Sequence, residues 1–201
     1  MSAPVQIDTP HGPARAHLHL ADAPTAALVL GHGAGGGVEA RDLVAVAEVA
    51  QAEAVSVALV EQPYLVAGRR SPAPPGQLDT AWTAVVEHLH GAELEELPLI
   101  VGGRSLGARV ACRTAAATQA IAVLCLAFPV HPPGRPEKSR LEELDAVTLP
   151  TLVVQGESDP FGRPEPGPRR EVVFVPGNHS LKAGLDQVPD AVRDWLAKVI
   201  G

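Results

Sequence analysis

The stretch Leu99-Ile100-Val101-Gly102-Gly103-Arg104-Ser105-Leu106-Gly107-Ala108-Arg109-Val110-Ala111-Cys112 changes its hydrophobic period halfway along. Leu99 to Gly102 is a short continuous apolar run, the pattern of a strand buried on both faces. From Ser105 to Thr118 apolar residues recur at three- and four-residue spacing, which predicts a helix. Between the two lies Gly103-x-Ser105-x-Gly107, the spacing of a sharp strand-to-helix elbow. Such a turn holds its serine in a strained backbone conformation, and glycines two residues to either side let strand and helix approach closely. The hydroxyl is then exposed at a helix N-terminus, where backbone N–H groups point outward to receive negative charge. Alone, the pentapeptide reads equally as a glycine-rich turn in which Ser105 is only an N-cap.

The same strand-then-helix alternation extends in both directions and predicts an α/β fold. Val5-Gln6-Ile7 and Ala14 to Leu20 flank the turn Thr9 to Pro13 as an opening antiparallel hairpin. Apolar runs at Ala26 to Leu30, Val55 to Val60, Leu99 to Gly102, Ile121 to Phe128, Thr151 to Val154 and Glu171 to Val175 continue as parallel strands. The expected sheet thus has about eight strands. Helices are predicted over Glu39 to Glu53, Leu78 to His90, Ser105 to Thr118 and Gln187 to Ile200, and Asp79 and Asp186 suit N-terminal turns. Arg69 to Gly76 and Pro129 to Pro150 are expected to be loops over the sheet edge, and no internal repeat recurs.

With 201 residues, 46% hydrophobic and 19% charged, residues 1–201 read as a single globular domain large enough to hold a core without disulfides or a metal. Cys112 and Cys125 have no metal or disulfide spacing and are expected to be reduced core thiols, as in cytoplasmic proteins. A net charge of −7, with Arg69-Arg70 as the only short basic cluster, argues against nucleic-acid binding. The N-terminal stretch Met1 to Asp8 carries no basic and apolar export signal, and the longest apolar run, Ala120 to Val130, is too short to span a bilayer. A cytoplasmic location without a membrane partner is the expectation.

A nucleophilic serine needs a base and an acid to orient that base, and in this architecture the chain order is serine, acid, histidine. After Thr151 to Val154 comes Gln155-Gly156-Glu157-Ser158-Asp159-Pro160, with Asp159 in the strand-end turn and Glu157 as its competitor. After Glu171 to Val175 comes Pro176-Gly177-Asn178-His179, which puts His179 in the next strand-end loop. The loop Gly31-His32-Gly33-Ala34-Gly35-Gly36-Gly37 follows Ala26 to Leu30, and the Ala34 and Leu106 N–H groups are the expected oxyanion donors. A rival reading lies in the same loop: Gly31, Gly33 and Gly36 fit G-x-G-x-x-G of a dinucleotide site, with Glu61 as ribose partner. That reading leaves Ser105, Asp159 and His179 unexplained.

Three further residues are candidates for binding substrate: His32 in the glycine loop, Arg104 beside Ser105, and His131 after Ile121 to Phe128. Arg104 suits a substrate carboxylate or, equally, a structural acid. For His131 a turn role weighs more. His17 and His19 share one strand face without a third ligand near in sequence, so a half-exposed face is the ordinary reading and no metal is expected.

Taken together, Gly-His-Gly-Ala-Gly-Gly-Gly at 31–37, Gly-Gly-Arg-Ser-Leu-Gly-Ala-Arg at 102–109, Phe-Pro-Val-His-Pro-Pro-Gly at 128–134 and Gly-Asn-His at 177–179 resemble a small subgroup of the α/β-hydrolase superfamily. The subgroup is similar in size to dienelactone hydrolases and includes relatives of a non-specific lethal complex subunit. Its elbow typically has Met where Leu106 stands, and strict dienelactone hydrolases have cysteine where Ser105 stands. The resemblance implies an α/β-hydrolase fold with a minimal lid. The residues themselves predict a serine hydrolase acting through Ser105, His179 and Asp159 with no cofactor needed, and the short insert between the sixth and seventh strands points to a small ester, thioester or lactone. The alternative is a non-catalytic binding or scaffold protein that retains the fold.

Overall fold

A computed structural model describes residues 3–201; Met1 and Ser2, which belong to the expected domain and to the N-terminal stretch read for an export signal, lie outside them. The strands are β1 (Val5–Ile7), β2 (Ala14–His19), β3 (Ala26–Gly31), β4 (Val55–Glu61), β5 (Leu99–Arg104), β6 (Ala122–Leu126), β7 (Thr151–Gly156) and β8 (Arg170–Val175). The helices are α1 (Arg41–Ala52), α2 (Pro63–Val66), α3 (Pro75–His90), α4 (Leu106–Thr114), α5 (Leu141–Asp145) and α6 (Val188–Ile200). The strands form one eight-stranded sheet in the order β1-β2-β4-β3-β5-β6-β7-β8. β1 and β2 pair antiparallel, as do β2 and β4, and every pairing from β4 to β8 is parallel. This is the α/β-hydrolase fold expected from the sequence.

Strands β3 to β7 read as unbroken apolar runs because both sheet faces are covered. On one face Val29, Val101, Val123 and Val153 pack with Trp82 and Leu89 of α3 and with Ala108 and Ala111 of α4. On the other, Leu28, Leu30, Ile100, Leu124 and Val154 meet Leu43 and Val46 of α1 and Trp195 and Leu196 of α6. Register then sets the site. Gly31 pairs with Gly103 and Gly156 with Val175, so the loop after β3 lies beside Ser105, and the loops after β7 and β8 lie beside each other. All four open at the carboxyl ends of the strands, where ligands bind in parallel α/β sheets.

Several boundaries differ from the sequence reading. α3 begins at Pro75, not Leu78, because Pro74-Pro75 starts the helix instead of delaying it; proline suits the first turn, whose N–H groups have no intrahelical acceptor. Asp79 therefore lies in the second turn. The segment 129–150 is not all loop: it contains α5, whose Leu144 is buried and packs toward α4. The helix opened by Ser105 ends at Thr114 rather than Thr118, where the Thr114 and Thr118 hydroxyls donate to backbone carbonyls one turn back. The thiols of Cys112 and Cys125 are free, buried and 3.6 Å apart. That neighbour, together with burial, pushes the Cys112 thiol up, so it stays protonated. Among the described residues no helix is long and apolar enough to cross a membrane.

Candidate active site

Ser105 caps α4 with φ 51° and ψ −102°, a backbone conformation that side chains other than glycine rarely adopt. It is held there at both ends: its N–H donates to Leu126 O at 2.9 Å, and its carbonyl accepts from Arg109 N–H at 3.2 Å. The flanking glycines are there for space. A Cβ on Gly107 would sit 2.2 Å from the Gly31 carbonyl oxygen, and one on Gly103 would sit 2.5 Å from the same atom. The elbow is thus a three-way backbone contact among β3, β5 and α4.

His179 Nε2 lies 2.9 Å from Ser105 Oγ, and His179 Nδ1 lies 2.8 Å from Asp159 Oδ2. Asp159 is buried and its oxygens are filled: Oδ1 accepts from Phe161 N–H and Oδ2 also accepts from Gln155 Nε2, both at 2.8 Å. A carboxylate so placed fixes the proton of the imidazole on Nδ1 and leaves Nε2 to accept from the serine hydroxyl. The Phe161 ring lies on His179 with centroids 4.2 Å apart. Glu157, the competing acid, is exposed, and its backbone carbonyl accepts from Arg163.

Ala34 and Leu106 line one cavity with Ser105 and His179, about 440 Å³ in volume. The N–H of Leu106 opens α4 and so has no intrahelical acceptor. The peptide joining Gly33 to Ala34 is turned by its carbonyl, which accepts from His32 Nδ1 at 2.8 Å and from Gly36 N–H at 3.3 Å. Because the N–H and C=O of a trans peptide point in opposite directions, this directs the Ala34 N–H away from His32. Tyr64 OH donates to the Ala34 carbonyl at 3.4 Å, and burial pushes this phenol up to about 12.

Of the three residues expected to bind substrate, only Arg104 borders this cavity. His32 is buried beneath the glycine loop, not in the cavity: Nδ1 donates to Gly33 and Nε2 accepts from Gln62 N–H at 3.1 Å. Arg104 reaches the cavity wall but is already engaged, with Nε donating to Asp42 Oδ2 at 2.7 Å and Nη2 to the His179 carbonyl at 3.1 Å. His131 lies in a separate hollow with Gly162 and Arg163, its Nδ1 2.9 Å from the Pro132 carbonyl. Glu61, the ribose partner of the dinucleotide reading, faces β2 instead, 3.4 Å from His17 and 4.0 Å from Arg15. Among the described residues no cluster of three metal-ligating side chains occurs.

Sequence reasoning missed Gln155, which is fully buried and whose Nε2 also contacts the carbonyls of Phe128 and Gly162 at 3.1 and 2.9 Å. An amide ending the apolar run Thr151 to Val154 was the available signal. It also missed three arginines of the cavity wall: Arg109 and Arg113, one helical turn apart on α4, and Arg140.

No curated protein sequence matches the chain significantly. Solved structures do match in fold. A serine hydrolase without a lid from Xanthomonas campestris is 20% identical with a TM-score of 0.77, covering 98% of this chain and 94% of its own. Est1E from Butyrivibrio proteoclasticus is 19% identical with a TM-score of 0.79 and 99% of both chains covered. A dienelactone hydrolase from Anabaena variabilis is 18% identical with a TM-score of 0.76, covering 98% of this chain and 97% of its own. The family model described as an alpha/beta hydrolase domain matches residues 24–183, and the chain belongs to that family.

Proposed function

We propose that the protein is a serine hydrolase of small soluble esters, thioesters or lactones, with Ser105 as nucleophile, His179 as base and then acid, and Asp159 as the orienting carboxylate. The observation that carries this reading is the continuous hydrogen-bonded line from Asp159 Oδ2 through the imidazole to Ser105 Oγ, with both links under 3.0 Å. Ser105 Oγ attacks the acyl carbon as its proton passes to His179 Nε2, and the Ala34 and Leu106 N–H groups receive the oxyanion. The bond to the leaving group then breaks, and the leaving group takes that proton. Water repeats the sequence in reverse roles, with His179 accepting its proton, and frees the acid and Ser105. The hydrolase relatives in fold support the reading.

A fluorophosphonate probe followed by peptide mapping tests it without knowledge of the substrate. Labelling at Ser105, abolished in Ser105→Ala and suppressed in His179→Ala, is expected. An unlabelled Ser105, at probe concentrations that saturate other serine hydrolases, would leave the protein as a scaffold with a hydrolase fold.

A further inference from the structure

The cavity above Ser105 carries an unequal set of charges. Arg109 donates to both oxygens of Glu143, at 2.8 Å from Nε and 2.5 Å from Nη2. Arg113 makes the same two-pronged contact with Asp79, at 2.9 and 2.6 Å. Its remaining Nη1 is buried 3.2 Å from Glu143 Oε1 yet makes no hydrogen bond. Arg140 completes the wall, and among the described residues its side chain makes neither ion pair nor hydrogen bond. Three guanidiniums therefore meet two carboxylates, and Arg140 is the cation left over.

The position of Arg140 is fixed even though its charge is not matched. Its backbone N–H donates to the Val130 carbonyl at 2.7 Å, closing the excursion 130–140 at its base and setting Arg140 beside Pro129, another wall residue. Burial and the neighbouring Arg109 and Arg113 weaken its hold on its proton, while Glu143 acts in the opposite sense. A guanidinium remains charged in such surroundings, so the repulsion is a standing cost that an anion would relieve.

We propose that Arg140 binds a carboxylate borne by the acyl part of the substrate, so that the preferred substrates are half-esters or half-thioesters of short dicarboxylic acids. This rests on the serine-hydrolase reading and narrows it. One surplus positive charge matches one carboxylate, whereas a phosphomonoester dianion would leave a negative charge in excess. The planar fork of a guanidinium also suits a carboxylate edge. Ser105 and Arg140 line the same cavity of about 440 Å³, so the acyl chain that joins nucleophile and guanidinium is a short one.

The test compares 4-nitrophenyl hemiglutarate with 4-nitrophenyl butyrate, a neutral ester of similar acyl size. The ratio of their kcat/KM values should favour the half-ester by tenfold or more in the wild type. In Arg140→Gln the ratio should fall at least tenfold, and in Arg140→Lys it should fall less. A ratio near one in the wild type, or one unchanged by Arg140→Gln, would overturn the assignment. A second readout is independent of turnover: calorimetric titration of Ser105→Ala with monomethyl glutarate and with dimethyl glutarate. The half-ester should bind at least tenfold more tightly, and adding Arg140→Gln should remove that difference. Equal affinities overturn the anion site even if Ser105 is labelled normally, while an unlabelled Ser105 with selective half-ester binding overturns only the hydrolase reading.

Discussion

Arg104 and Asp42 form a pair that ties the first helix to the loop carrying the histidine. Asp42 is buried in the first turn of α1, and Arg104, at the end of β5, reaches it with Nε at 2.7 Å while its Nη2 holds the His179 carbonyl at 3.1 Å. The guanidinium passes the glycine loop so closely that a Cβ on Gly33 would lie 2.9 Å from Nη1. One planar cation thus sets the spacing among α1, the glycine loop after β3 and the His179 loop. Arg104→Ala leaves the Asp42 carboxylate buried without its partner and should lower stability by about 3 kcal/mol, measured by urea unfolding. It should also lower kcat more than it changes KM, because the freed loop carries His179, the proposed base. Arg104→Lys, with a point charge instead of a fork, should retain part of the stability and less of the rate. Unchanged urea midpoints for both variants would refute the bridging role.

The glycines of the elbow and those of the loop after β3 should respond differently to the same methyl group. Gly107→Ala drives a Cβ to 2.2 Å from a backbone oxygen of a central strand, where nothing yields easily. It should cost about 3 kcal/mol or more, or prevent folding, and leave no Ser105 labelling. Gly36→Ala meets nothing within 4 Å, and its φ is not positive. Its unfolding midpoint should stay close to wild type. Equal losses in the two variants would mean that the elbow is not the tightest point of the fold.

Asp159 and Glu157 separate the two acids that sequence alone left in competition. Asp159→Asn presents an amide to His179 Nδ1 and favours the wrong tautomer, so kcat should fall by about 10³- to 10⁴-fold with little change in the far-UV spectrum. Glu157→Gln, at an exposed position, should keep its rate within about twofold. Gln155→Ala removes a donor to Asp159 without touching the imidazole. It should lie between them, with a kcat loss of about tenfold on the scale of one hydrogen bond to a charged group. A full rate in Asp159→Asn would exclude Asp159 as the orienting acid.

The sheet was legible in the sequence because burial on both faces writes each strand as an unbroken apolar run, and the change of period at Gly103 to Ser105 marks the elbow directly. The meeting of Asp159 and His179 with Ser105 was legible because parallel strands bring their strand-end loops together at one edge of the sheet. What escaped was decided by partners distant in sequence. Nothing local to Arg104 chooses between a substrate carboxylate and Asp42, 62 positions away. His32 reads as a cavity residue until the fold shows Gln62 beneath its second nitrogen. The start of α3 is hidden because Pro74-Pro75 interrupts the apolar pattern, although proline also begins helices. α5 was lost because five residues rich in acids carry too short a pattern to establish a period.

His32 should make stability depend on pH in a definite direction. The ring is buried and its protonation is lowered from the ordinary 6.5 chiefly by loss of solvation, against smaller opposing effects from the Gly33 and Gly36 carbonyls and Glu61. Its hydrogen bonds require the neutral form, since Nε2 accepts from Gln62 N–H and a second ring proton would face that donor. Above about pH 6.5 the ring is neutral in folded and unfolded chains alike, and its contribution to stability is complete. As pH falls below that value the unfolded chain takes up a proton that the native state refuses, so stability drops by up to about 1.4 kcal/mol per pH unit. The loss levels off only below the lowered native value, once the native ring is protonated too. Urea unfolding from pH 8 to pH 5 should therefore show a steeper decline for the wild type than for His32→Gln, which keeps every other histidine. The variant should be less stable at pH 8, where the bracket on the Gly33 carbonyl is lost, and the two curves should converge toward pH 5. Parallel curves across that range would show that His32 is not held neutral, and with that the fixed direction of the Ala34 N–H would lose its support.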